Sequence, residues 1–249
     1  MRTDRISEMT FREFDQRRKD CHTVILPTGA VEGYGPHLPM ASDLLVVEAV
    51  AAQVAQRTDA MIGPSLPVGD SRSISVFPGT LCVRPESFKA YLDDVVESLL
   101  GWGIRHFLFL NGHAGNAPII AQISNDHLVR DPDLRFAQID WWRYAAQHCV
   151  GILDNSGYMA NGHASECGTS VMLYLYPELV RTDRLMCSVP KVVNGQRFPG
   201  VNRYTLFNEF SDDCMIGDAT TATAEKGREI VERCVEDIVA YMQMDFSEN

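Results

Sequence analysis

The sequence predicts an α/β fold, a three-layer α/β/α sandwich with a mostly parallel central sheet. Segments with helical periodicity alternate along the chain with short aliphatic and β-branched runs that are typical of buried strands. One run, IRHFLFLNG, is almost continuously apolar, as central strands of parallel sheets are. Helices that connect such strands cover both faces of the sheet. A length of 249 residues suits a single domain, 1–249, of this class.

The chain begins with a predicted helix and a predicted strand. Thr10 is a suitable N-cap for a helix over FREFDQRRK. The run HTVILPTG, closed by Pro and Gly, predicts a buried strand. After a loop over residues 29–42, either Ser42 or Asp43 is suited to cap a second helix, DLLVVEAVAAQVAQR.

The middle of the chain alternates in the same way. AMIGPSLPV predicts a second strand, and residues 69–83 form a long loop rich in Gly, Ser and Pro, of the kind that often carries function. Residues 84–101 predict a helix, because Pro stands at the start, acids in the first half and Gly at the end. The strand IRHFLFLNG follows.

The remaining elements predict two further units and a terminal helix. NAPIIAQISNDHLVR predicts a helix, LRFAQIDWW a strand, and SECGTSVMLYLYPEL a helix that ends near Pro177. On a strand, Trp141 and Trp142 point to opposite faces, which places one of them in the core. A long amphipathic helix, TATAEKGREIVERCVEDIVAYMQMDF, closes the chain from residue 221 onward.

Composition excludes several classes of function. A formal net charge of -11 argues against a nucleic-acid partner, because phosphate binding needs clustered Lys and Arg. The start of the chain lacks the apolar core of a signal peptide, and no run approaches the ~18 apolar residues of a membrane span. We therefore expect a cytoplasmic protein with no membrane partner.

Three polar clusters follow predicted elements of the sheet and carry the candidate chemistry. They are AVEGYGPHLPMASD at 30–43, NGHAGN at 111–116 and NGHASE at 161–166. Open α/β sheets place ligand sites at the carboxyl ends of their strands. Carboxylate and imidazole groups suit divalent zinc, manganese or iron, which activates water and polarises a carbonyl. The alternative is structural: Glu32 and Asp43 also suit helix-end caps.

These motifs resemble those of the creatininase (creatinine amidohydrolase) family. The resemblance rests on E-x-x-G-P-H-L-P-x-x-x-D from Glu32 to Asp43, on N-G-H-x-G-N, on H-A-x-E-x-x-T-S from His163, and on F-P-G-T at 77–80. It covers roughly residues 8 to 245 in order and spacing. It implies an α/β/α fold, a small-molecule substrate and assembly as a homo-oligomer, usually a hexamer.

The resemblance also implies roles for particular residues. Glu32, Asp43 and His113 are implied to hold one or two divalent metal ions, and Glu166 to serve as a further ligand or as the base on the attacking water. His163 is implied to lie beside the substrate carbonyl and to transfer a proton to the leaving group.

The chain departs from the family pattern at three positions. Tyr34 stands where the family has a His that ligates a second metal, and Gly115 and Gly168 stand where it has Glu. These departures leave three possibilities for the second ion: weak binding, different ligands, or absence. Tyr34 itself remains open between ligand, substrate contact and packing residue.

Four residues are expected to contact substrate: Tyr34, His37, Arg72 and Trp142. His37 belongs to the first motif, and the resemblance implies that Trp142 covers the pocket. Arg72 lies in the loop GDSRSIS, where the family often has a His. A cationic, hydroxyl-rich loop favours an oxygen-rich or anionic substrate.

The expected function is metal-dependent hydrolysis of a small cyclic amide or related carbonyl metabolite, with metal-activated water as the nucleophile. One alternative is a carbon–carbon hydrolase that opens a cyclic polyol ketone of the inosose type, which the Arg72 loop would fit. The other is a catalytically degenerate family member that acts as a binding protein, following the His-to-Tyr change at position 34.

Overall fold

The computed structural model describes residues 3–191 and 204–246 and contains a four-stranded parallel sheet. Its strands are β1 (Thr23–Thr28), β2 (Met61–Ile62), β3 (His106–Asn111) and β4 (Arg135–Asp140), in the spatial order β2-β1-β3-β4. In register, Thr28 pairs with Asn111, and Asn111 pairs with Asp140. The carboxyl ends of the three longer strands are therefore level at one edge of the sheet.

Helices cover both faces of this sheet. They are α1 (Phe11–Arg17), α2 (Ser42–Ala55), α3 (Pro85–Gly101), α4 (Ala117–Arg130), α5 (Trp141–His148), α6 (Gly157–Asn161), α7 (Glu166–Leu175) and α8 (Ala224–Asp245). A two-stranded antiparallel ribbon, β5 (Cys187–Ser188) with β6 (Gly217–Asp218), lies apart from the main sheet. None of the described helices combines the length and the apolar character that a bilayer crossing requires.

The alternation of side chains along the strands separates two hydrophobic cores. Val24 and Leu26 of β1 pack with α3 and α4 on one face, whereas Ile25 packs with α2, α7 and α8 on the other. Strand β3 divides in the same way, with Phe107 and Phe109 opposite to Leu108 and Leu110. The predicted three-layer α/β/α architecture is confirmed.

The N-cap of α1 is the residue that the sequence predicts, and the N-cap of α2 is not. Thr10 forms a complete capping box with Glu13 at the start of α1, as the sequence predicts. Neither Ser42 nor Asp43 caps α2, because Ala41 occupies the N-cap and Ser42 is already helical, its hydroxyl donating to the Pro39 carbonyl. The Asp43 carboxylate is thereby left for another use.

Two predicted strands are shorter than expected. Met61 and Ile62 alone pair in β2, and Leu66 makes only an isolated bridge to Thr28, because the prolines at 64 and 67 lack the N–H that a ladder needs. Strand β4 ends at Asp140. Both tryptophans therefore begin α5 instead of alternating on a strand, although Trp141 is buried in the core as expected.

Candidate metal centre

Three of the predicted ligands meet at the carboxyl edge of the sheet. Glu32 follows β1, His113 follows β3, and Asp43 lies in the first turn of α2. His113 Nδ1 is 3.2 Å from Glu32 Oε2 and 3.3 Å from Asp43 Oδ2. All three side chains are buried, and one ligand atom of each lies within 4.8 Å of the others. The structure thus brings together residues that are distant in the sequence.

The glycine before His113 allows this close approach. A Cβ atom at Gly112 would lie 2.4 Å from the backbone oxygen of Asp43, well inside van der Waals contact. The start of α2 therefore packs directly on the main chain that follows β3. This contact explains why the N-G-H turn needs glycine in its middle position.

Asn111 fixes the backbone of His113. Its Oδ1 accepts hydrogen bonds from the Thr28 hydroxyl (3.0 Å) and from the His113 N–H (3.2 Å). Its Nδ2 donates to the His113 carbonyl (2.9 Å) and to Asp140 Oδ1 (2.9 Å). A single buried amide therefore joins three adjacent strands and orients the turn that carries the imidazole.

The orientation of the His113 ring is set by loop 69–72. Nε2 lies 2.9 Å from the Asp70 carbonyl oxygen and 3.4 Å from the Ser71 hydroxyl. A carbonyl only accepts hydrogen bonds, so Nε2 carries the hydrogen and Nδ1 directs its lone pair at the two carboxylates. The side chain of Asn116 holds this loop in turn, because its Oδ1 accepts from the Asp70 N–H and its Nδ2 donates to the Gly29 carbonyl.

The electrostatics of this triad require a cation. Two carboxylates converge on the imidazole Nδ1 out of contact with water, and the buried Glu32 Oε2 lies 3.2 Å from that nitrogen. Burial raises the pKa of Asp43; burial of Glu32 acts the same way, but its contact with His113 outweighs it and lowers the pKa. Burial disfavours a charged His113, yet hydrogen bonding to Asp43 and Glu32 raises its pKa well above the ordinary value. Either a proton on Nδ1 or a metal ion satisfies these atoms.

The donor set suits a divalent metal. Two carboxylate oxygens and one imidazole nitrogen make up the three protein ligands that catalytic zinc sites commonly use, with further positions left for water and substrate. The backbone carbonyl that receives the Nε2 hydrogen is the usual support for a metal-bound histidine. The residues present therefore fit the predicted ion.

Tyr34 and His163 stand beside the triad as an aromatic pair. Their ring centroids are 4.1 Å apart with a tilt of 39°. His163 Nε2 lies 2.9 Å from the Gly33 carbonyl, so it donates there. Burial, reinforced by the nearby Asp43 and Glu32 carboxylates, raises the pKa of Tyr34 well above its ordinary value. Tyr34 is therefore a neutral phenol near neutral pH, which makes it a poor metal ligand and a good hydrogen-bond donor.

Glu166, expected to serve as a further ligand or as the catalytic base, makes its contacts away from the triad. Its buried carboxylate accepts hydrogen bonds from the backbone N–H groups of Asp154 (2.9 Å) and Asn155 (3.0 Å) and pairs with Lys226 Nζ at 2.7 Å. Burial alone would raise its pKa, but these bonds outweigh burial and lower the pKa to about 2. The carboxylate is committed to a structural network and does not join the triad.

His37, expected to contact substrate, is enclosed by the protein. Its side chain is 1 % exposed, and Nε2 lies 2.8 Å from the Thr169 hydroxyl on α7. The ring therefore ties the first motif to α7 from the inside. Burial lowers the pKa of His37 to about 4, which keeps the imidazole neutral over most of the pH range.

Arg72 and Trp142 remain outside the immediate site. Arg72 donates through Nε and Nη2 to the two carboxylate oxygens of Asp70, at 2.7 Å each, while its side chain stays 67 % exposed. Much of its charge is thus already paired. Trp142 lies on α5 with the guanidinium carbon of Arg143 5.8 Å from its ring centroid, and no contact within the described residues joins it to the triad.

One residue near the site was missed by the sequence analysis. Phe207 begins a 3-10 helix, Phe207–Glu209. Its ring lies edge-on to the His163 ring, with the two centroids 5.2 Å apart, and its centroid is 6.3 Å from that of the Phe77 ring. This helix packs on the 3-10 helix Arg72–Ile74. Phe77 belongs to the F-P-G-T motif, but no motif surrounds Phe207, so only the fold reveals the aromatic wall that the two form beside His163.

Comparison with known sequences finds relatives that are hydrolases. The creatininase family model, described as creatinine amidohydrolase, matches residues 7–242. The creatinine amidohydrolase of Pseudomonas putida is 28 % identical over 97 % of this chain and 96 % of its own length. The mycofactocin precursor peptide peptidase of Mycolicibacterium smegmatis is 30 % identical over 83 % of this chain and 78 % of its own. The 3-dehydro-scyllo-inosose hydrolase of Thermotoga maritima is 28 % identical over 74 % of this chain and 60 % of its own length.

Solved structures agree with the sequence comparison. A crystal structure of creatinine amidohydrolase superposes with a TM-score of 0.87 at 26 % identity, covering 100 % of both chains. A manganese creatininase structure superposes with a TM-score of 0.86 at 26 % identity, covering 99 % of this chain and 100 % of the other. A mutant creatininase titled as Zn-Zn type gives 0.85 at 26 % identity, covering 100 % of both. Neighbours with this fold thus hold manganese or zinc.

Proposed function

The chain belongs to the creatininase family of metal-dependent hydrolases, and we propose that it hydrolyses the amide bond of a small, planar, cyclic or related carbonyl compound. The observation that carries this proposal is the buried triad of Glu32, Asp43 and His113, with the His113 lone pair aimed at two carboxylates. Zinc or manganese held there would polarise the substrate carbonyl and activate water.

The residues of the chain divide the remaining work. Glu32 and Asp43 supply negative charge to the ion, and the Asp70 carbonyl keeps the His113 ring in its ligating orientation. The Tyr34 phenol is held neutral and its ring packs against His163, so it lines the space beside the triad where a substrate carbonyl would lie.

His163 is the proposed proton-transfer residue. Because Nε2 donates to the Gly33 carbonyl, Nδ1 of the neutral ring is the nitrogen that accepts a proton from the attacking water. The same nitrogen then returns that proton to the leaving nitrogen as the carbon–nitrogen bond breaks. Stacking on Tyr34 and edge contact with Phe207 hold the ring in place for both steps.

The structure favours an amide substrate over a polyol ketone. The polyol alternative relied on the cationic loop at Arg72, and the Nε–Nη2 edge of that guanidinium is already paired with the Asp70 carboxylate. The walls that face His163 are instead aromatic, from Tyr34 and Phe207. Planar unsaturated groups stack on such walls more favourably than hydroxylated rings do.

An activity screen tests this proposal. Wild-type protein loaded with zinc or manganese is incubated separately with lactams, cyclic ureides, N-acyl amino acids and cyclic polyol ketones. Hydrolysis of each compound is followed by mass spectrometry. We expect turnover within the amide classes, abolished in His113→Ala and reduced at least a hundredfold in His163→Gln. Turnover of polyol ketones alone would contradict the amide assignment, and turnover that survives in His113→Ala would contradict the metal mechanism.

Two expectations about the cellular form also remain proposals. We propose that the protein works in the cytoplasm and as a homo-oligomer, a hexamer by family resemblance. Exposed aromatic and aliphatic side chains at Phe11, Tyr91, Trp102 and Val129 are consistent with subunit contacts. Light scattering of the purified protein measures the assembly directly.

A further inference from the structure

We propose that the triad of Glu32, Asp43 and His113 holds one divalent ion per chain, not a pair. One structural neighbour is titled as a Zn-Zn form, so the inference separates this chain from a relative of the same fold. It rests on the proposed metal-dependent function and specifies the number of ions behind it.

The His113 ring can serve only one ion. Its Nδ1 faces Glu32 and Asp43, and its Nε2 donates to the Asp70 carbonyl at 2.9 Å. Bridging two ions through the imidazole would require removal of that hydrogen and displacement of loop 69–72. The ring therefore defines one metal position.

The space beside the ring is closed by backbone. A Cβ atom at Gly115 would lie 1.9 Å from the Asp70 carbonyl oxygen and 2.9 Å from His113 Nε2. No side chain, and so no additional ligand, is able to extend from position 115 unless the loop that supports His113 moves away. The Asp70 carbonyl that holds the His113 ring thus occupies the space that a side chain ligating a second ion would need at position 115.

A second ion shared through Asp43 would need donors of its own. Tyr34, whose ring packs against His163 beside the triad, offers neither a carboxylate nor an imidazole donor. His163 Nε2 is directed at the Gly33 carbonyl, and Glu166 is paired with Lys226. Among the residues that the structure describes, no further His, Cys, Asp or Glu joins the triad within 4.8 Å.

Charge leads to the same number. Two carboxylates and a neutral imidazole carry a charge of -2, which one divalent ion balances in a buried site. A second divalent ion would bring +2 into the same dry volume without an added anionic side chain. Uncompensated charge in such surroundings is strongly unfavourable.

Metal counting tests the inference without any substrate. The intact assembly is purified without chelator and assayed by elemental analysis; a stripped sample is then titrated with Mn²⁺ and followed by electron paramagnetic resonance. We expect one equivalent per chain and the six-line spectrum of an isolated ion. Tyr34→Phe is expected to keep one equivalent, and His113→Ala to fall below a tenth of one.

A surface cluster requires its own control. Asp93, Glu97 and His127 also bring three donor atoms within 4.8 Å, although Lys89 and Arg130 pair with these acids. The counts are therefore repeated in an Asp93→Asn background. An extra equivalent that disappears there belongs to the surface and supports a single ion in the triad.

Two other outcomes would overturn a claim, and they are distinguishable. One outcome is two equivalents of metal per chain in the Asp93→Asn background, together with either exchange-coupled manganese or the loss of one equivalent in Tyr34→Phe. This outcome would overturn the single-ion inference and leave the metal-dependent function intact. An absence of bound metal, with no rise in melting temperature when zinc or manganese is added, would overturn the proposed function itself.

Discussion

His113 and Asp70 are joined through the ring Nε2 and a main-chain carbonyl oxygen, 2.9 Å apart. This contact decides which nitrogen of the imidazole faces Glu32 and Asp43. Because the acceptor is backbone, the ligand depends on the path of loop 69–72 and not on the chemistry of the Asp70 side chain. The position of one loop is therefore part of the metal centre.

Gly115→Ala should weaken metal binding. The new Cβ would lie 1.9 Å from the Asp70 carbonyl oxygen, so the loop must shift and His113 must lose its support. Loss of such supporting contacts typically lowers metal affinity about 10- to 100-fold, which competition with a chelating dye measures. Gly168→Ala is the matched control, because a Cβ there meets nothing within 4 Å. Equal affinities for the two variants would contradict the role of the loop.

Chelation should lower the thermal stability of the wild-type protein. An ion that binds the folded chain alone, at a free concentration of about a thousand times its dissociation constant, stabilises it by about 4 kcal/mol. Calorimetry with and without chelator measures the difference. In His113→Ala the two melting curves should coincide, and a chelator effect that persists in this variant would place the stabilising ion elsewhere.

Removing one partner of the Glu166–Lys226 pair should destabilise the fold. The pair is formed at 2.7 Å around a fully buried carboxylate. Loss of one member of a buried ion pair costs about 3–5 kcal/mol, so Lys226→Met should unfold at lower denaturant concentration. The double variant with Glu166→Gln should lose less unfolding free energy than the sum of the single variants.

Metal content at 4 °C should stay unchanged in Glu166→Gln. Loss of metal from the folded variant would support Glu166 as a ligand.

Acid should destabilise the fold partly through His37. Burial lowers its pKa from 6.5 to about 4, so between these values the unfolded chain binds a proton that the folded chain does not. Stability from this group is complete above pH 6.5 and falls as the pH drops through the window, by a total of about 2–4 kcal/mol. His37→Gln should flatten the dependence of unfolding free energy on pH between 6.5 and 4. An unchanged slope would show that His37 takes up its proton without unfolding.

Phe207→Ala should alter recognition of planar groups. Hydroxamates bind metal centres and serve as probes in place of the unidentified substrate. Contact between two aromatic rings contributes about 0.5–1.5 kcal/mol beyond burial, so the variant should bind benzohydroxamate about 2- to 10-fold more weakly. Acetohydroxamate should bind both proteins equally, and Phe11→Ala, a remote exposed control, should bind both probes like the wild type. Equal weakening for both probes would indicate a general disturbance of the centre.

The sequence sufficed for the architecture and the triad because both depend on local patterns. Apolar runs and helix caps specify the layers, and parallel strands bring their carboxyl ends to one edge. Glu32, Asp43 and His113 each follow or begin such an element, so topology places their motifs at one edge, and the family resemblance singles out these three residues.

Sequence patterns do not reveal the direction of side chains that is set by tertiary contacts. His37 and Glu166 belong to the same motifs as the triad, yet one bonds to Thr169 and the other to Lys226. Motif membership does not reveal which way a side chain turns. Phe207 reaches His163 only through packing between two short 3-10 helices, for which the sequence offers no periodic signal.

The network around Glu166 also ties the middle of the chain to its last helix. The three side chains of the triad lie within the first 113 residues, whereas the buried Glu166 carboxylate is paired by Lys226 on α8, 60 residues farther along the chain. Loop 154–155, which leads toward the turn that carries His163, is held by the same carboxylate. During synthesis, the cation that neutralises this carboxylate is therefore the last of these groups to be made.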